Sequence, residues 1–186
     1  SWIIEIVLFF YAEAVVKQFD DLEEKMFNIN KKEKIRIGST ITVGECMLSN
    51  IINTFIKKET DVEVYSYVNN TRIIEEKLLN SELDIGIVEG QIKSPDLIHI
   101  PEVSDYLVLI CSKSHPFASK KIINLKELGS ERFAVREKGS GTRELFESYM
   151  ADKGIKLNIA FEGNSPEAIK KEVINNNYLA VISIRL

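Results

Sequence analysis

Along residues 1–30 the apolar positions recur as Leu8, Ala12, Val15, Phe19, Leu22, Met26 and Ile29, with spacings of four and three alternating without a slip. That is a heptad seam, with Ala12, Phe19 and Met26 at one core position and Leu8, Val15, Leu22 and Ile29 at the other. Phe9, Phe10, Tyr11 and Val16 widen the stripe, so the helix has surface for more than one neighbour. The pattern predicts a long dimerisation helix; the competing reading lays the same helix on the globular body. The polar "NINKKEK" that follows reads as a linker.

From Lys34 onward, short apolar runs alternate with helical periods. The strand candidates are "KIRIGS", "VEVYSYV", "LDIGIVE", "LIHI", "YLVLICS", "RFAV", "NIAFEG" and "LAVISI". Several are apolar on both faces, as buried parallel strands are. Helices are predicted over 43–58, 71–81, 141–153 and 166–176. Strands and helices in alternation predict an α/β fold with mostly parallel sheets. Thr42 with Glu45 forms a capping box for the first helix, Asn70 or Thr71 can cap the second, Ser140 the third, and Ser165 before Pro166 the fourth. Gly154 suits a left-handed helix end. The alternation breaks at "CSKSHPFASKKIINLKEL", which predicts a crossing between two lobes, 31–112 and 113–186. A cleft between them would be lined by strand carboxyl ends and helix amino ends, where α/β sheets bind ligands.

Composition narrows the partners. A formal charge of −4 over 186 residues speaks against a nucleic-acid surface on this chain, which would need a basic face. Cys46 and Cys111 stand far apart and outside any CxxC, so neither a disulfide framework nor a metal site is indicated. Buried reduced thiols are the plain reading, a redox switch the sharper one. The leading "SWIIEIVLFFYAEAVV" is apolar but carries Glu5 and Glu13, lacks a basic start and is too short to span a bilayer. A soluble cytoplasmic protein is expected.

Candidate chemistry concentrates at the helix starts. Each offers unpaired backbone N–H groups and the positive end of a helix dipole, which favour an anion. Thr40 and Thr42, Ser140 and Thr142, and Ser165 place hydroxyls there, although capping alone would also explain them. In "REKGSGTRE", Gly139 and Gly141 let the backbone approach a ligand closely, and Arg136, Lys138 and Arg143 suit an anion unless they merely face solvent. "GSGTRE" lacks the lysine of a P-loop, and no GxGxxG is present. The two histidines, His99 and His115, lie near no nucleophile elbow, so no catalytic set is expected. Most carboxylates sit on helical faces beside lysines; Glu89, ending "LDIGIVEG", is the one placed at a cleft edge, where a turn hydrogen bond would also account for it.

Five segments in order, "IRIGSTITVGECMLSNIINTFIKK", "NNTRIIEEKLLNSELDIGIVEG", "LVLICSKSHPFA", "FAVREKGSGTRELFE" and "EGNSPEAIKKEVINNNYLAVIS", resemble the effector-binding region of LysR-type transcriptional regulators. The resemblance implies a two-lobed domain like the type 2 periplasmic binding proteins, preceded by a linker helix that pairs subunits as homodimers or tetramers. It places a small-molecule effector against Thr40, Thr42, Ser140, Gly141, Thr142 and Ser165. It implies DNA binding only through a winged helix-turn-helix upstream of Ser1, no membrane, no cofactor and no metal. Family members also continue beyond "LAVISIRL", and commonly carry proline at the position of Ser49. The basic loop adds an anionic charge for the effector. A transporter's solute-binding protein, or an enzyme on the same two-lobed fold, would be the alternatives. If residues 1–30 pair the subunits, Leu22→Lys should yield monomers in sedimentation, whereas an unchanged dimer would put the contact in the body.

Overall fold

The computed structural model describes residues 13–23, 26, 32–101 and 103–186. Residues 13–23 form a helix, α1. Four positions of the heptad pattern, Val15, Phe19, Leu22 and Met26, are exposed; Leu8, Ala12 and Ile29 lie outside the described residues.

The first sheet centres on β1 (Glu33–Ser39), which pairs in parallel with β2 (Val62–Val68) on one side and β3 (Ile85–Ile87) on the other. Parallel neighbours require crossovers. The first is one continuous helix made of α2 (Ile41–Val43), a π-helical stretch (Gly44–Leu48) and α3 (Ser49–Lys58). The second is α4 (Thr71–Leu79), capped by the Asn70 side chain, which accepts from the Ile73 N–H. The predicted capping box at Thr42 does not form. Thr40 is the N-cap instead, held extended because its N–H donates to the Ile87 carbonyl at 3.1 Å. Thr42 therefore lies inside the helix with its hydroxyl free for other work.

In the second sheet β5 (Arg132–Arg136) runs parallel to β6 (Asn158–Gly163), and a parallel bridge from Phe133 to Leu179 joins this pair to β7 (Ala180–Ser183). The outer neighbour of β7 is β4 (Leu107–Ile110), antiparallel to it. The strand at 107–110, expected within the unit 31–112, thus hydrogen-bonds in the second sheet. Alternation of apolar runs reveals a strand, not its partner. The strand expected at "LIHI" is also absent: Ile98 is 93% exposed, and no described residue offers it a ladder.

Helix α5 (Gly141–Asp152) and α6 (Pro166–Asn176) start at Ser140 and Ser165 as the capping residues predict. They cover opposite faces of the second sheet. Phe133 and Val135 point toward Phe146 and Met150 of α5, while Ala134 between them packs with Ile169 and Val173 of α6. The period of two along β5 thus explains why "RFAV" is apolar on both sides. Phe133 is wholly buried, its ring 5.5 Å from that of Phe146. Phe133→Ala is expected to cost about 3–5 kcal/mol in urea unfolding, without changing the order of the strands.

Candidate functional site

Three helix starts meet where the two sheets adjoin, and hydrogen bonds tie them together. Arg72 N–H donates to the Gly139 carbonyl at 3.2 Å, and Gly141 N–H donates to the Thr71 hydroxyl at 3.1 Å. The same hydroxyl donates to the carbonyl of Glu89 at 3.0 Å. From above and below, the hydroxyls of Thr42 and Thr142 both donate to Glu89 Oε1, at 2.8 and 2.7 Å. One carboxylate oxygen therefore joins the helix start of the first lobe to that of the second.

Backbone shape makes this approach possible. Gly90, with φ +91°, lies against Gly141, and Gly139 adopts φ +92° just before the helix. Both are left-handed conformations that side chains disfavour. At Gly141 the need is for space: a Cβ there would overlap the Glu89 carbonyl oxygen and sit 2.9 Å from Thr71 Oγ1.

Of the residues expected to form the site, Thr42, Gly141 and Thr142 are brought together, and Ser140 is buried beside them as the α5 cap, its oxygen accepting from Arg143 N–H at 3.5 Å. Thr40 is buried at the head of the first helix. Its hydroxyl has no hydrogen-bond partner among the described residues. Ser165 caps α6 by accepting from Ala168 N–H at 3.3 Å and has no hydrogen bond to Glu89, Thr42 or Thr142. Thr71 was legible only as an alternative cap; that its hydroxyl would instead clamp the second lobe required the fold.

Two of the three loop cations are taken up by the protein's own carboxylates. Arg143, 7% exposed, donates to Glu147, to Glu162 and to the Arg136 carbonyl. Arg136, 4% exposed, pairs with Glu137. Buried guanidinium groups need carboxylates or carbonyls, and these were within reach on β5, β6 and α5. The hydrogen bond from Arg143 holds the Glu162 carboxyl below the usual carboxylate range. Lys138 is exposed.

Beside the Glu89 cluster opens a cavity of about 950 Å³ reaching from Thr42, Glu89 and Thr142 to Ile98 and Tyr106. Cys46 lines it, its Sγ donating to the Arg185 carbonyl at 3.1 Å, and burial pushes this thiol's pKa up. His99 also borders the cavity, whereas His115 is buried elsewhere, accepting from the Phe117 N–H through Nδ1. Among the described residues no group of three or more His, Cys, Asp and Glu side chains could hold a metal ion, and no helix is long and apolar enough to cross a membrane.

Residues 30–185 match the family model described as LysR substrate binding domain. Relatives include the HTH-type transcriptional regulator CysL of Bacillus subtilis (strain 168), 29% identical over 152 residues that cover 82% of this chain and 51% of CysL. The HTH-type transcriptional activator CmpR of Synechocystis sp. (strain ATCC 27184 / PCC 6803 / Kazusa) is 28% identical over 175 residues, 93% of this chain and 57% of CmpR. The chain thus spans between half and three-fifths of these curated relatives. Among solved structures, the regulatory domain of CcmR from Synechocystis PCC6803 in complex with 2-PG superimposes with a TM-score of 0.76 at 29% identity, covering 82% of this chain and 73% of that one. The effector binding domain of QuiR in complex with shikimate, 21% identical with a TM-score of 0.74 over 82% of this chain and 74% of that one, shares the fold.

The close approach at Gly141 can be measured directly. Gly141→Ala forces apart backbone rather than a yielding side chain, and is expected to destabilise by about 1–3 kcal/mol in calorimetry. Gly129→Ala, where a Cβ would meet only Ile155 Cγ2 at 3.4 Å, should be close to neutral.

Proposed function

Because the chain belongs to the LysR substrate-binding family, with residues 30–185 matched, we propose that it is the effector-binding and dimerising part of a LysR-type transcriptional regulator and holds a small anion between its lobes. The observation that carries the anion is the pair of hydroxyls from different lobes, Thr42 and Thr142, that share one carboxylate oxygen at 2.8 and 2.7 Å. An arrangement of donors that accommodates the oxygen of a carboxylate will accommodate that of a free oxyanion. Thr40 and Ser140 add hydroxyls at the same helix starts, with Ser165 at the margin, while Gly141, its N–H given to Thr71, lets the backbone approach closely.

The buried Thr40 hydroxyl supports the same conclusion. An unpaired buried hydroxyl costs about 1–3 kcal/mol, and a ligand oxygen would relieve it. The CcmR domain that resembles this chain holds 2-PG. The charge of the ligand is set by helix dipoles and hydroxyls rather than by Arg136 and Arg143, whose guanidinium groups are already committed to Glu137, Glu147 and Glu162.

Binding would favour one arrangement of the lobes, and only its difference in affinity between arrangements can do work. That difference passes to DNA-binding arms outside this chain through the exposed apolar side chains Val15, Phe19, Leu22 and Met26, which pair with those of a second copy. On this reading, which the regulator relatives support, the ligand is held and released unchanged, in the cytoplasm and without a cofactor.

A saturating anion at a hundred times its dissociation constant stabilises a fold by about 2.7 kcal/mol, a rise of roughly 5–10 °C at this chain length. Sulfate, phosphate or citrate should therefore raise the melting temperature of the wild type, and Ser140→Ala combined with Thr142→Ala should abolish the rise. Equal shifts in both proteins would place the anion elsewhere.

A further inference from the structure

Building on the anion-site reading, we propose that the Glu89 carboxylate is a tethered occupant of the effector's anion subsite, a specificity-determining group that a free anion must displace. Its Oε1 already takes the two hydroxyls that would hold the ligand, one from each lobe. The backbone that presents it is fixed on the same ground: the Glu89 carbonyl accepts from Thr71, and Gly90 lies against Gly141. The carboxylate is thus delivered by a wedged segment rather than by a loose side chain reaching across solvent.

What Glu89 leaves undone points to the ligand. It satisfies Thr42 and Thr142, yet the Thr40 hydroxyl, 2% exposed and two residues earlier on the same helix start, has no partner among the described residues. A single carboxylate is therefore too small for the donors assembled here. A tethered group also competes at an effective concentration of roughly millimolar or above. A free monocarboxylate brings the same chemistry without the tether and loses. The effector that wins carries more acceptor oxygens and more charge: a phosphate monoester or a polycarboxylate.

Displacement also supplies the coupling. With Glu89 bound, its carboxylate fastens the helix start at Thr42 to that at Thr142; with a free anion bound, this fastening passes to the ligand and the Glu89 side chain is released. Tether and ligand then favour different arrangements of the lobes, which a ligand needs in order to shift an equilibrium.

Glu89→Ala removes the tether and leaves room for a carboxylate between Thr42 and Thr142. Potassium acetate, against potassium chloride at equal ionic strength, is expected to raise the melting temperature of Glu89→Ala by several degrees and to leave the wild type unmoved. Equal shifts in both, or none in a cooperatively melting Glu89→Ala, overturn the proposal. Should the alanine variant not fold, the nearly isosteric Glu89→Gln carries the test in a calorimetric titration with inorganic phosphate. Binding about tenfold tighter than wild type or better is expected, and equal or weaker binding overturns it. Phosphate binding that is lost in Thr142→Ala but indifferent to Glu89 would retain the anion site and remove the tether. Phosphate binding by none of these proteins would remove both.

Discussion

Glu89 stands at the centre of the hydrogen bonds that join the two halves of the molecule. Its side chain takes hydroxyls from two helix starts and its carbonyl takes a third from α4, so one residue after β3 holds together elements from both sheets. A carboxylate accepts several hydrogen bonds at once, and charge assistance makes each stronger than a bond between neutral groups. The neighbouring glycines serve this arrangement. Gly90 and Gly141 are small enough for their backbones to touch, and a side chain at either would press on the backbone of the other segment.

Around that junction each lobe is built by ordinary α/β packing. The first sheet has its cluster at Ile37, Val43 and Leu48, and the second has one on each face, under α5 and α6. Because helices cover the sheets, the ends of strands and the beginnings of helices are what remain at the boundary. Hydroxyl and backbone donors collect there, around the Glu89 carboxylate.

The buried arginines show how a loop with several cations can commit its charge to the protein's own carboxylates. Arg143 ties β5 and β6 to α5 through Glu162, Glu147 and the Arg136 carbonyl. Removing a guanidinium from water demands that its donors be satisfied nearby. Once those partners are met, the charge contributes to holding the lobe together, and the cleft keeps uncharged hydroxyls.

Much of this could be read from the chain alone. Period-two and helical apolar patterns placed the strands at 33–39, 62–68, 132–136 and 158–163 to within one residue at each end, and capping residues Ser140 and Ser165 marked helix starts to the residue. Thr42 and Thr142 stood out because their helix starts combine hydroxyls with unpaired backbone N–H groups. Local sequence could do this because backbone periodicity and capping act over a few residues. What it could not decide were contacts between distant segments: that β4 joins β7, that Thr40 rather than Thr42 caps its helix, that Arg136 and Arg143 turn to carboxylates. The same holds for Glu89, whose role depends on residues 47 and 53 positions away in the chain. Such choices belong to the tertiary structure because a buried charge or hydroxyl takes whichever partner folding brings within about 3 Å, and one-dimensional order does not specify that distance.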